Sequence, residues 1–167
     1  VKGDGPIGQM TAVADNLGNV KGFVSNPHVD IPLNPENGKL NVGEAVGKNG
    51  MIYIIKDIGL KEPYIGMTKI ISGEIAEDFT NYFATSEQTP TVVALGVLVD
   101  KNGVKAAGGY LITLMPDATE NEITKLEKAL KSADSISKML NDGKELIEIA
   151  EIVTGDNNLM YFEDDYI

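Results

Sequence analysis

Residues 91–116, "TVVALGVLVDKNGVKAAGGYLITLMP", decide the fold. Two apolar runs flank Asp100-Lys101-Asn102-Gly103, and an Asn-Gly dipeptide in that setting signals a tight hairpin turn, because both residues accept positive φ. The chain therefore doubles back here as an antiparallel pair. Ala106, Ala107, Gly108 and Gly109 open the second strand with almost no side-chain volume, so a backbone or a helix is predicted to approach the sheet closely at that point. Tyr110 to Met115 read as a buried strand, and Pro116 releases the chain.

Working outward, two more hairpins flank this one on its N-terminal side. Met10–Ala14 and Val20–Val24 surround the turn-rich "DNLGN"; "MIYIIKD" (51–57) and "YIGMTKII" (64–71) surround "IGLKEP". Between the pairs lies "SNPHVDIPLNPENG" (25–38), whose prolines at 27, 32 and 35 exclude a helix and argue against a central strand. A short helix over Leu40–Val46 ends in "GKNG". The period then changes: Ile75, Phe79, Tyr82 and Phe83 recur at helical spacing, predicting a central helix at 73–86 with Ser72 as N-cap and Pro90 as a stop.

After Pro116 the pattern is helical. Ile123, Leu126 and Leu130 form one stripe, "SISKML" (135–140) ends near Gly143, and "KELIEIAEIV" (144–153) ends at Gly155. The closing "NLMYFEDDYI" reads as an edge strand or a linker. The predicted class is α+β: sheets of antiparallel hairpins, a central helix, and a helical C-terminal third packed over the sheet. Asp15–Phe23 and Asp100–Tyr110 share a pattern of Asp, turn, Gly, Val-Lys and an aromatic residue. Either duplication or common turn chemistry produces such an echo.

Composition narrows the function. Of 167 residues, 25 are acidic and 14 are basic, a net charge of −11, and every base is lysine. A nucleic-acid or phosphate binder presents clustered bases with arginine favoured, so those partners are not expected. No apolar run approaches the roughly 18–20 residues that cross a bilayer, so no membrane partner is expected, and without a visible signal peptide the expected location is the cytoplasm. There is no cysteine, hence no disulfide and no thiolate metal site in this polypeptide.

Candidate chemistry is sparse. "GDGPIG" (3–8) has Gly-x-Gly-x-x-Gly spacing, but Pro6 removes a donor, no strand precedes it, and a strand follows where a nucleotide site needs a helix; it reads as a structural glycine turn. Ser25, His28 and Asp30 have the letters of a triad, yet they are loop neighbours, and His28 reads as a surface histidine. Glu163–Asp165 ("EDD") offers a weak site for a hard cation and reads better as solvated acid. Phe79, Tyr82 and Phe83 read as one packed face. Glu120, Lys125, Glu127 and Lys131 read as a solubilising surface. Catalysis would need carboxylates such as Asp4, Asp57 or Glu87 to converge with raised pKa values. Catalytic, cofactor and metal residues are therefore expected to be absent, and binding or assembly is preferred to catalysis.

Several stretches together are more specific. "GDGPIGQ", "VKGFVSNP", "VGKNGMIYIIKDIG", "YIGMTKIISGEIAEDFTNYFATSEQTPT" and "VALGVLVDKNGVKAAGGYLITLMP" resemble, in order and interval, the core of the thirty-three-kilodalton heat-shock chaperonins, redox-regulated bacterial holdases. The likeness covers nearly the whole chain and thins over the last helices. It implies an ATP-independent chaperone that binds unfolding client proteins under oxidative stress, commonly as a homodimer. It also implies a C-terminal zinc domain with Cys-x-Cys and Cys-x-x-Cys pairs, whose oxidation expels zinc and exposes apolar surface.

This chain lacks that family's helical segment before "GDGPIG" and stops at Ile167, where the cysteines would follow, so the expectation is a core fragment without the redox switch. The expected organisation is a substrate-binding core at 1–116, a helical linker or cover at 117–158, and a tail at 159–167 leading to the zinc domain. The alternative is a constitutive protein-interaction or oligomerisation module.

Overall fold

The structure, a computed structural model, describes residues 1–156 and 159–161. It divides into two compact units, Val1–Gln88 and a second beginning at Thr89. Each is built on antiparallel hairpins.

In the first unit, β1 (Met10–Ala14) pairs with β2 (Val20–Val24), and β3 (Met51–Lys56) pairs with β4 (Tyr64–Lys69). The N-terminal residues stitch the two pairs together: Lys2 and Met51 exchange both backbone hydrogen bonds at 2.9 Å, and Met10 N–H donates to the Val1 carbonyl at 2.8 Å. α1 (Val42–Val46) ends at Gly47, and α2 (Ile75–Thr85) follows β4. Val46, Ile52 and Ile70 form the core, with Val42, Ile54, Ile75 and Phe79 packed against them.

The expected helix at 73–86 is present but starts later, at Ile75, and Ser72 is not its N-cap. The reason is Asp78. Its buried carboxylate accepts the N–H groups of Ile71, Ser72 and Gly73 at 2.8, 3.0 and 3.0 Å, which holds those residues in a loop folded back on the helix. Three donors satisfy a charge that burial would otherwise make costly. The Ser72 hydroxyl instead accepts from Glu74 N–H, and the Glu74 carboxylate reaches Gly43 N–H at 3.0 Å, bracing α1 against the start of α2.

In the second unit, β5 (Thr91–Asp100) and β6 (Gly103–Thr113) form the hairpin read from the sequence, with a register shift at Leu98/Val99. α3 (Glu120–Ser132), α4 (Ile136–Asn141) and α5 (Leu146–Thr154) follow. α4 lies on the hairpin, and α3 packs with α5. Ile136, Met139, Ile149 and Val153 make the core, against Tyr110, Ile112, Leu130 and Leu140. Thr119 and Glu122 form a capping box that fixes the start of α3.

The small residues do what their size allows. Gly96 and Gly108 lie opposite each other in the register, directly beneath α4. A Cβ on Gly96 would sit 2.8 Å from Ile136 Cγ2 and 3.1 Å from Ser137 N; one on Gly108 would sit 2.5 Å from Leu140 Cδ1. Gly109 points to the other face, where the Leu95 side chain lies across it. The expectation of a buried strand from Tyr110 to Met115 needs correcting: Leu111 is 52% and Met115 67% exposed. Only the face under α4 is covered.

The two echoing turns share one device. The Asp15 carboxylate accepts from Leu17 and Asn19 N–H, and the Asp100 carboxylate accepts from Asn102 N–H. Asx-turn chemistry of this kind accounts for the likeness without a duplication.

The close approach predicts a packing penalty. Gly96→Ala should lower stability by about 1–3 kcal/mol through overpacking against Ile136 and Ser137. Gly22→Ala, whose Cβ would meet nothing within 4 Å, should stay within about 0.5 kcal/mol of the parent. Denaturant midpoints measure both, and equal midpoints would remove glycine as the reason α4 seats where it does.

Candidate functional site

The clearest concavity is an apolar groove of about 960 Å³ within the first unit. Its floor is Met10, Phe23 and Val24 from the β1–β2 hairpin with Val42 and Ala45 from α1; its wall is the segment carrying Val29, Ile31 and Leu33. Asp30 and Pro32 separate those three along "VDIPL" and line the groove with them.

One end of the wall is tied to the N-terminal segment and the other closes in a local turn. At one end Ser25 N–H donates to the Gln9 carbonyl at 2.9 Å, Asn26 N–H to the Ile7 carbonyl at 3.2 Å, and Asn26 Nδ2 to the Pro6 carbonyl at 3.1 Å. At the other, Asn34 N–H donates to the Lys39 carbonyl and Gly38 N–H to the Asn34 carbonyl, both at 2.8 Å. Between these anchors the segment has neither helix nor strand. Pro27 and Pro32 carry no N–H, so this stretch makes an open wall without joining a sheet.

The hairpin that lines the groove also carries exposed apolar residues. Phe23 is 63% exposed, and Val13, Leu17 and Val20 are exposed toward the tip, where the Asp15 carboxylate accepts from Leu17 and Asn19 N–H. β3–β4 presents Tyr53, Ile55, Ile65 and Met67 on its uncovered face. In the second unit Leu95, Val97 and Leu111 do the same. Contiguous apolar area of this kind marks surfaces that bind other chains.

The residues considered for chemistry are occupied otherwise. Ser25 Oγ accepts from Gln9 N–H, His28 is exposed with its backbone N–H on Asn26 Oδ1, and Asp30 sits at the groove; among the described residues no hydrogen bond joins the three. Asp4 is held by Asn49, whose side chain and backbone donate at 2.7 and 3.1 Å and keep its carboxyl below the usual range. Asp57 receives Gly59 N–H in a turn. Glu87 pairs with Lys56, which lowers its pKa. The shifts found for Asp4 and Glu87 are opposite to those a general acid needs.

"GDGPIG" packs backbone to backbone. A Cβ on Gly3 would lie 2.0 Å from the Val46 carbonyl oxygen, and one on Gly5 would lie 2.4 Å from that of Ala45. The motif leads into β1; Gly3 and Gly5 serve close packing against α1, and Gly8, at positive φ, lies against Ser25. Phe79 and Tyr82 are packed as their spacing predicts, and Phe83 meets Tyr82 edge-on at 5.4 Å between centroids. Glu163–Asp165 lie outside the described residues. Among the described residues no group of three or more His, Asp or Glu could hold a metal ion, and with no cysteine in the chain the thiolate zinc site implied by the resemblance has no donors here. No described helix is long and apolar enough to cross a membrane.

The groove, walled by the Pro- and Asn-rich segment, was not legible as a site in the sequence. The only hint is that Val29, Ile31 and Leu33 keep a stretch rich in proline and asparagine apolar.

The family model described as Hsp33 protein matches residues 1–167. The chain belongs to the Hsp33 family. It is 54% identical over 153 residues to the 33 kDa chaperonin of Clostridioides difficile strain 630, covering 92% of this chain and 52% of that protein. To the 33 kDa chaperonin of Thermoanaerobacter sp. strain X514 it is 49% identical over 164 residues, covering 98% and 55%. The crystal structure of the 33 kDa chaperonin from Thermotoga maritima matches with a TM-score of 0.84 at 38% identity, over 93% of this chain and 53% of that one. This Hsp33-family chain thus spans about half the length of the relatives it matches.

If the groove binds apolar segments, Phe23 is its most accessible contact. Phe23→Ser should weaken binding of an environment-sensitive apolar dye roughly tenfold. Because Phe23 is already largely exposed, the thermal midpoint should move by no more than about 4 °C. Unchanged dye binding in the folded variant would place the sticky surface elsewhere.

Proposed function

We infer that this chain is the client-holding core of an ATP-independent chaperone, which binds unfolding proteins through apolar surface and keeps them from aggregating. The observation that carries the reading is the open apolar groove at Met10, Phe23, Val29, Ile31 and Val42, one side of which is a hairpin with further exposed apolar residues. The names of the relatives support it, since a chaperonin needs surface for chains that have lost their fold.

The physics is burial. An unfolding client exposes apolar segments, and each 100 Å² removed from water contributes about 2.5 kcal/mol before the costs of ordering the client are subtracted. An open groove recognises such segments by shape and hydrophobicity more than by sequence, which suits a binder of many clients. The net charge of −11 keeps a protein with this much exposed apolar surface in solution. No step requires a nucleophile or a cofactor, and we propose no enzymatic activity.

The oxidative trigger, zinc release and homodimerisation that the resemblance implies, with a cytoplasmic setting, go with this reading as proposals. A cysteine-free chain has no thiol through which peroxide could switch it. A constitutive interaction module is the second reading, favoured by the uncovered faces of β3–β4 and β5–β6, which suit one fixed partner as well as many clients. Selectivity separates the two.

Light scattering from a thermally unfolding client, without nucleotide and with or without peroxide, tests the reading. Suppression near stoichiometric amounts, the same before and after peroxide, is the expected result. A folded, soluble sample that fails to suppress scattering, or that binds a single native partner instead, would overturn it.

A further inference from the structure

The end of α2 carries a polar cluster that the groove does not use. Tyr82 is wholly buried and its hydroxyl donates to Glu87 Oε1 at 2.7 Å; the Lys56 ammonium pairs with the same oxygen. Lys56 is the last residue of β3, and Glu87 lies two residues beyond the end of α2. The Lys56 ammonium also lies over the rings of Tyr64, from β4, and Phe83, from α2, at 5.8 and 5.9 Å from their centroids. The cluster thus joins β3, β4, the last turn of α2 and the segment that leaves it.

The apolar side of this junction depends on Tyr82. Its ring covers Gly66, where a Cβ would sit 2.2 Å from the Tyr82 hydroxyl. Phe79 and Ile75, one and two turns earlier on the same stripe, pack against the core of Ile52 and Ile70. α2 therefore covers the inner face of a hairpin whose outer face, Tyr53, Ile55, Ile65 and Met67, is already exposed. At its C-terminal end the contact that ties the helix down is polar and partly accessible: the side chains of Lys56 and Glu87 retain 40% and 21% exposure.

We propose that Lys56, Glu87 and Tyr82 form a releasable latch holding the end of α2 over the β3–β4 hairpin, so that neutralising Glu87 frees Tyr82 and opens the hairpin's second apolar face. The latch needs no thiol. This goes beyond the client-holding reading and rests on it only for the use of the surface that release would add.

Removing the Glu87 charge leaves Lys56 without its counter-ion and weakens the acceptor of a buried hydroxyl, the kind of loss that outweighs that of a neutral hydrogen bond. Acid should act in the same direction. Lys56 and Tyr82 hold Glu87 below the ordinary carboxylate range, so its stabilising contribution is complete above that range and is lost as pH falls through the lowered value. The titratable groups facing it are Lys56 on β3, Tyr64 on β4 and Tyr82 on α2.

Backbone hydrogen exchange on the full chain tests the latch without any client. At pH 7, Glu87→Gln should accelerate exchange in Phe79–Ser86 roughly tenfold, with Ile136–Asn141 in the second unit unchanged, and should raise apolar-dye binding in parallel. Lys56→Gln, which leaves the Tyr82–Glu87 hydrogen bond in place, should give a smaller acceleration in the same segment. Parent-like exchange over Phe79–Ser86 in both variants would overturn the proposal. So would uniform acceleration across both units, which is general destabilisation. If exchange responds as expected but neither protein suppresses client aggregation, the latch stands and the client-holding reading fails.

Discussion

A missing side chain under a covering helix is the constraint on which both units depend. In the second unit it is the Gly96–Gly108 pair beneath Ile136, Ser137 and Leu140; in the first it is Gly66 beneath Tyr82. A two-stranded hairpin has too little surface to be stable in water alone and needs something packed on one face. Glycine at the contact lets a short helix or a single aromatic ring come close enough to exclude water. It cannot do this for both faces at once, and each hairpin keeps a second face of Val, Leu, Ile, Tyr and Met. Stability and stickiness thus have one origin.

Much of the fold was written in local signals. Asn102-Gly103, the prolines at 27, 32, 35, 90 and 116, and the spacing of Ile75, Phe79 and Tyr82 place hairpins, breaks and the central helix close to where they occur. The errors have nonlocal causes. Ser72 has the chemistry of an N-cap, but the Asp78 carboxylate takes the N–H groups of Ile71, Ser72 and Gly73, and no local rule anticipates a loop turned back on its own helix. Tyr110–Met115 are apolar but for Thr113 and read as buried. Their exposure alternates because α4 covers one face only. Hydrophobicity indicates what would gain by burial, not whether a partner element is available.

The groove was harder to read, because its wall is a stretch that sequence rules class as a connection. Proline and asparagine in 25–38 show that the backbone leaves regular structure, and they do so correctly. They do not show that Val29 and Ile31 then face Phe23 and Val42, residues distant in sequence or belonging to other elements. The composition, by contrast, is read directly from the chain. It holds one histidine and no cysteine, and the Asp4 and Glu87 carboxylates are held by Asn49 and by Lys56 and Tyr82.

The most direct measurement is a hydrogen-exchange footprint of the chain mixed with a chemically unfolded client, against the same chain mixed with that client in its native state. The account predicts protection concentrated in Val20–Val24, 29–33 and Val42–Val46 with the unfolded client and none with the native one. Protection absent from those segments, or equal for native and unfolded client, would contradict the claim that the groove holds unfolding chains.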